Sequence, residues 1–260
     1  MITITIANNF KPREENIIEK TRETNDVYTI ELASDSNSLP GQFYELSVLG
    51  IGEAPISVAS SSTERLKFTV RNIGHVTSKI FEQDRIGVRG PYGNHWPFEK
   101  YDRILAIAGG IGVPPIRSLI HELKGKKELW VIYGARTPSD LVYKYEFDQW
   151  KNLSNLILTV DRGDENWNGK VGLVTKFISE IPNLKNMAAF LIGPPIMMEN
   201  SVKELLKYEV SPENIYLSLE RRMECGFGVC GHCNVGHFYV CEDGPIFKYS
   251  EVRDLPEVFL

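Results

Sequence analysis

The sequence predicts a chain of α/β plus all-β class: an antiparallel β-barrel, then a doubly wound parallel sheet, then a small cysteine-bearing segment. Three observations carry this. The first hundred or so residues hold short β-branched and aromatic runs separated by Gly, Pro, Asn and Ser turns. Beyond them, apolar runs alternate with helix-patterned stretches. All four cysteines then fall between Cys225 and Cys241.

The barrel strands are read from NIIEKTRETNDVYTIELAS (16–34), GQFYELSVLG (41–50), PISVASS (55–61) and RLKFTVRNI (65–73), each roughly alternating. One helix, HVTSKIFEQ (75–83), follows Gly74. The rhythm then changes. DRILAIA (102–108) reads as a buried strand, and GGIGVPP (109–115) as the turn that opens the helix IRSLIHELKG. Strand ELWVIYGA (128–135) precedes a helix over SDLVYKYEFDQW (139–150). Strand LILTVD (156–161) precedes GLVTKFISEI (172–181), and AAFLIG (188–193) precedes PIMMENSVKELLKY (195–208). NIYLSLE (214–220) closes the set. Five apolar strands alternating with helices give a parallel sheet covered on both faces. The expected division is 1–99, 100–219 and 220–260.

Bulk properties exclude several classes. At 260 residues the chain is long for a single core. With 42% apolar and 24% charged residues it has the composition of a soluble globular protein. A net charge of −5, with no basic stripe, gives no reason to expect nucleic acid. Met1 leads into ITITIANNF, an apolar–Thr alternation rather than a secretory leader. The longest apolar runs fall far short of membrane-spanning length. The expectation is a cytoplasmic protein, or one bound peripherally to a larger complex, without membrane insertion.

The cysteine spacing is C-x4-C-x2-C-x7-C, through Cys225, Cys230, Cys233 and Cys241, and it begins as the plant-type [2Fe–2S] ferredoxin pattern does. Gly226, Gly228 and Gly231 lie among the ligands. Glycine takes positive φ readily and leaves backbone N–H groups free to face inorganic sulfide. A zinc site would more often show two separated C-x2-C pairs or histidine at ligand spacing, and His232 lies between two of the cysteines. Disulfides need an oxidising compartment. Iron–sulfur is the leading reading, and such a cluster passes one electron at a time.

The other motifs are weaker. Gly109, Gly110, Gly112 and Pro114 lie where a phosphate would meet a helix N-terminus, yet they also suit a plain tight turn. Gly193, Pro194, Pro195 and Met197 alone read as a rigid strand-to-helix connector. Pro55, Ile56 and Ser57 pass as ordinary strand residues. Gly74, with Thr77 and Ser78 at a helix start, offers a second phosphate seat. Together with a nucleotide-type sheet and a cysteine cluster, these signals gain weight.

In this order, PISVASS and GHVT, GGIGVPP, GPPIMM and the four-cysteine loop resemble the ferredoxin–NADP reductase superfamily. More narrowly, they resemble its FAD/[2Fe–2S] electron-transfer subunits: the gamma subunits of nickel–iron (sulf)hydrogenases and the corresponding subunits of anaerobic sulfite reductase and dihydroorotate dehydrogenase. GEAPIS (52–57), RGPYGN (89–94), ERRMECG (220–226) and VCEDGPIF (240–247) look most like the hydrogenase and sulfite reductase members, as does the short x7 gap.

The resemblance implies FAD, a [2Fe–2S] cluster on the four cysteines, and NAD(P)H as substrate. Ala54-Pro55-Ile56-Ser57 matches the flavin motif, which would place Ser57 near flavin N5 as the catalytic contact. Ala54 stands where the family has an arginine on the FAD pyrophosphate. Val70, Arg71 and the turn of Gly74, Val76, Thr77 and Ser78 would complete the FAD site and supply that charge. Gly109–Pro115 and Gly193–Met197 match the NAD(P) loops, and Arg136 lies where the adenosine ribose or its phosphate is contacted. The implied activity moves electrons between NAD(P)H, FAD and the cluster, to or from catalytic and iron–sulfur subunits of a hydrogenase, sulfur or sulfite reductase type complex. A dihydroorotate dehydrogenase electron-transfer subunit is the alternative. From another class, Ala54 would suit a zinc-binding structural interaction subunit without flavin. The five histidines receive no catalytic role.

Overall fold

A computed structural model describes residues 10–259, so the apolar–Thr alternation that opens the chain lies outside the described residues. Strands β1 (Arg13–Arg22), β2 (Val27–Asp35), β3 (Phe43–Val48), β4 (Gly52–Ser57), β5 (Arg65–Arg71) and β6 (Arg85–Tyr92) form one antiparallel sheet. Their order is β4-β3-β6-β1-β2-β5. A four-residue helix, α1 (Thr77–Ile80), is shorter than the predicted 75–83. Strand β6 has no counterpart among the predicted strands: its Gly87, Gly90 and Pro91 are poor strand formers, and only Ile86 and Val88 reach the core. Alternate residues such as Ile30, Leu32, Tyr44, Leu46, Phe68 and Val70 fill the interior.

The sheet curls but does not close into a laddered barrel. Strands β4 and β5 are bridged only beyond Ser57, at the Val58–Phe68 bridge and the Ala59 N–H bond to the Lys67 carbonyl (2.9 Å). Pro55, within β4, has no N–H to give to such a ladder. The open seam faces the cavity described below.

The second sheet contains β7 (Arg103–Gly109), β8 (Glu128–Ala135), β9 (Asn155–Val160), the short β10 (Lys170–Val171), β11 (Ala188–Ile192) and β12 (Ile215–Ser218), all parallel in the order β10-β9-β8-β7-β11-β12. The helices α2 (Pro114–Leu123), α3 (Phe147–Leu153) and α4 (Pro195–Lys207) join them. Ile104, Ala106 and Ala108 of β7 pack with Ile116, Leu119 and Ile120 of α2, while Leu105 and Ile107 face Val202 and Leu205 of α4. The strand order reverses between β7 and β11, the place where ligands of open α/β sheets bind.

Two predicted helices of the second sheet also differ. In 139–150, Leu141, Val142 and Tyr143 are all buried and Tyr143 is left-handed (φ 63°), so the α-helix begins only at Phe147. Burying three consecutive side chains overrides the local helical pattern. Residues Val174–Glu180 form a 3₁₀ helix, whose three-residue turn aligns the buried Val174 and Phe177.

The C-terminal segment carries a hairpin, β13 (Asn234–Val235) and β14 (Phe238–Tyr239), inside the cysteine loop. Strand β15 (Ile246–Lys248) then adds antiparallel to β12, and α5 (Tyr249–Val252) follows. Cys225, Cys233 and Cys241 belong to the same core as Leu105, Leu217 and Phe43. Among the described residues no helix is long and apolar enough to cross a membrane.

The two sheets are fastened by a buried arginine. Arg117 of α2 donates to the Ala59 carbonyl (2.8 Å), to Glu64 (3.1 Å) and to Glu146 (2.8 Å). His121 and Trp150 bond the other oxygen of Glu146, at 3.1 and 3.0 Å. Burial alone would push Glu146 up, but the His121 hydrogen bond and the Arg117 charge outweigh it and hold that carboxyl at about 2.

Candidate functional site

A cavity of about 310 Å³ lies where the open seam, the switch point and the lead-in to the cysteine loop meet. Ala54, Pro55, Ile56 and Ser57 of β4 form one wall, with Thr69, Val70 and Arg71 of β5 across the seam and Thr77 of α1 beside them. Gly112, Pro114 and Ile192, at the carboxyl ends of β7 and β11, form the second wall. Ser218 to Arg221 and Met223 form the third, and Met223 is two residues from Cys225. Sequence reasoning missed this third wall as site. The rule that ligands sit beyond the carboxyl ends of parallel strands would have found it.

The polar groups suit an anionic, planar ligand. The Ser57 hydroxyl has no hydrogen-bond partner among the described residues. Arg71 lines the cavity and pairs with Asp26 at 3.3 Å, so a cation stands near the place where Ala54 supplies none. The turn before α1 closes on itself: the Gly74 N–H donates to Thr77 Oγ1 (2.8 Å), and Ser78 Oγ donates to the His75 carbonyl (2.9 Å). Of the flavin residues named from the sequence, Pro55, Ile56, Ser57, Val70, Arg71 and Thr77 line the cavity. Gly74 and Val76 belong to the adjoining turn and Ser78 to the first turn of α1.

The two glycine turns lie against each other at the switch point. A Cβ on Gly112 would come within 3.0 Å of the Ile192 carbonyl and 3.1 Å of Gly193, so both chains approach as closely as backbone allows. Gly109 likewise abuts Met197 and Pro194. Gly110, at φ 55°, faces open space. Of the residues named from the sequence in these turns, Gly112 and Pro114 line the cavity; Gly109, Gly193 and Met197 meet at the strand ends, and Pro194 and Pro195 are exposed. Arg136 is exposed at the end of β8, and its carbonyl accepts from the Arg162 N–H (3.0 Å) at the neighbouring strand end.

Two of the four thiols lie close together, Cys233 Sγ 3.3 Å from Cys241 Sγ, and all four cysteines are free. The Gly228 N–H donates to Cys241 Sγ (3.1 Å) and the Val229 N–H to Cys225 Sγ (3.3 Å). Gly226, Gly228 and Gly231 all take positive φ, between 77° and 84°. Cys230 is exposed; the other three cysteines are buried. Backbone hydrogen bonding from His232 lowers the Cys230 thiol, whereas burial, aided by Cys233, pushes Cys241 up to about 12. Among the described residues no three His, Cys, Asp or Glu side chains gather as a single-ion site. Four thiols in one loop, with backbone N–H groups donated to Cys241 and Cys225, suit a [2Fe–2S] cluster.

Beneath this loop, Arg89 of β6 makes a two-pronged bond to Glu53 (3.0 and 2.6 Å) and donates to Tyr92 Oη and the Cys225 carbonyl, both at 3.0 Å. Glu45 is 1% exposed, and its Oε1 has no hydrogen-bond partner. Burial, offset in part by Arg89, pushes its carboxyl up to about 7.

Two family models match: an oxidoreductase NAD-binding domain over residues 106–203, and the iron–sulfur cluster binding domain of dihydroorotate dehydrogenase B over 220–253. The sulfhydrogenase 1 gamma subunit of Pyrococcus furiosus is 38% identical, over 87% of this chain and 84% of its own length. The chain belongs to the ferredoxin–NADP reductase superfamily. Within it, the chain falls among the electron-transfer subunits of NAD-linked flavin/iron–sulfur oxidoreductases. A probable dihydroorotate dehydrogenase B electron-transfer subunit of Methanocaldococcus jannaschii is 36% identical, over 95% of this chain and 93% of its own. The two groups match to a similar degree. Among solved structures, one from the NADH-dependent reduced ferredoxin–NADP oxidoreductase matches with a TM-score of 0.79 and 27% identity, covering 94% of this chain and 91% of that one.

Proposed function

We propose that this superfamily member is the electron-entry subunit of a larger redox complex. The observation that supports this is the three-walled cavity: one space is bordered by the flavin-motif strand, the nucleotide switch point and the segment that runs into Cys225. FAD and a [2Fe–2S] cluster, when bound, supply the conversion of two-electron hydride transfer from NAD(P)H into single-electron transfer.

The chain's own residues position and shield. Pro55, Ile56 and Val70 give a flavin ring apolar contact, and Ser57 offers its free hydroxyl to the reacting edge. Arg71 and Thr77 take the phosphate side. Gly109 to Pro115 and Gly193 to Met197 let a dinucleotide approach the strand ends, with Arg136 toward its ribose or ribose phosphate. Leu219 and Met223 would give the cavity an apolar wall on the side of the cysteine loop. Cys225, Cys230, Cys233 and Cys241 would hold the cluster. The three-part division at 99/100 and 219/220 follows these roles.

Relatives are named as subunits of hydrogenase and dihydroorotate dehydrogenase assemblies. The partner proposed here is a catalytic subunit of the hydrogenase, sulfur or sulfite reductase type. A dihydroorotate dehydrogenase partner is the second reading, favoured by the match over 220–253. Chains that co-purify from the native host decide between them.

Ser57→Ala tests the flavin half. Loss of one hydrogen bond worth about 1 kcal/mol should slow flavin reduction by NAD(P)H roughly five- to tenfold, with cluster content unchanged. An unaltered rate would remove Ser57 from the site.

A further inference from the structure

One six-residue stretch holds both ends of the cysteine loop. At the entrance, Arg89 donates to the Cys225 carbonyl. At the exit, the Asn94 N–H donates to the Gly244 carbonyl (2.6 Å), and its side chain exchanges bonds with Asp243 and Ile246 at 2.7 to 2.9 Å. The same Arg89 is locked to Glu53, which lies on the flavin-motif strand one residue before Ala54. Pro55, Glu45 and Arg89 occupy one cross-strand row, so their side chains share a face of the sheet. The guanidinium is 2% exposed and stacks near Tyr92 and Phe227 at 5.7 and 6.0 Å.

We propose that Arg89 is the positioning residue of the cluster: its fork ties the entrance of the cysteine loop to the flavin-motif strand, and its fixed charge favours the reduced cluster. This rests on the reading of Cys225, Cys230, Cys233 and Cys241 as cluster ligands. One-electron reduction places one added negative charge on the loop, and the reductant loses one electron with no bond made or broken. A buried cation against the loop stabilises that charge, and Glu53 offsets it in part. A guanidinium does both jobs because it spends two N–H groups on a carboxylate and still has others for a carbonyl.

The test is the reduction equilibrium of the whole flavin- and cluster-loaded protein against a reversible dye couple, with EPR of the reduced state. Arg89→Gln should shift the equilibrium about tenfold toward the oxidised cluster, ~59 mV for one electron. Glu53→Gln should shift it the opposite way, and Arg89→Lys should stay within about threefold of wild type while its EPR line shape changes. Flavin content and flavin reduction by NAD(P)H should hold throughout. Equilibria within threefold of wild type in both glutamine variants, or shifts of the same sign, overturn the proposal. If Arg89→Gln takes up no cluster, the sign of the Glu53→Gln shift decides. If neither takes one up, the contact is an assembly requirement and the proposal fails. Wild-type protein without iron and sulfide would overturn the ligand reading itself, a failure distinct from any of these.

Discussion

Two buried arginines fasten this molecule, and they are surrounded differently. Arg117 joins the two sheets through two carboxylates and a backbone carbonyl, and His121 closes the set by bonding Glu146. Arg89 joins the first sheet to the cysteine loop, and its neighbourhood is unbalanced. It reaches the carbonyl of a proposed ligand, and beside it Glu45 keeps an unpartnered oxygen. A closed network holds parts together. An unsatisfied one beside a redox loop is what remains when geometry and charge serve electron transfer as well as stability.

Removing each arginine should therefore break different things. Arg117→Met leaves Glu64 and Glu146 buried without their cation, and should cost about 3–5 kcal/mol in urea unfolding while leaving the EPR signal of intact protein unchanged. Acid should act at the same place. Glu146 is held at about 2 in the folded chain against an ordinary 4.5, so its contribution is complete above pH 4.5 and is lost as pH falls toward 2. That loss is on the order of 3 kcal/mol, and Glu146→Gln should flatten this part of a stability-against-pH curve. Changes at Arg89 should show smaller effects on unfolding and larger ones on the cluster's reduction equilibrium.

The parallel strands were legible because each is a continuous apolar run, as burial on both faces requires. Strand β6 was not, since Gly87, Gly90 and Pro91 hide a strand whose value lies in Arg89 and in the turn to Asn94. The helix expected at 139–150 failed where Tyr143 turns left-handed to meet Thr69 and Arg117, contacts far away in sequence. Within the site, cysteine spacing and glycine turns announce themselves by composition. The third cavity wall does so only through the fold: Leu219, Glu220 and Met223 acquire meaning once β12 brings them to the cavity that Ser57 also lines.

The most direct measurement is an anaerobic titration of the purified chain with NADH or NADPH, followed in the visible spectrum and by EPR. The expected result is bleaching of flavin together with a cluster signal approaching one spin per chain, the cluster signal being lost on Cys→Ser change at Cys225, Cys230, Cys233 or Cys241. A colourless protein that carries zinc, or a flavin that bleaches with no cluster signal, would contradict it.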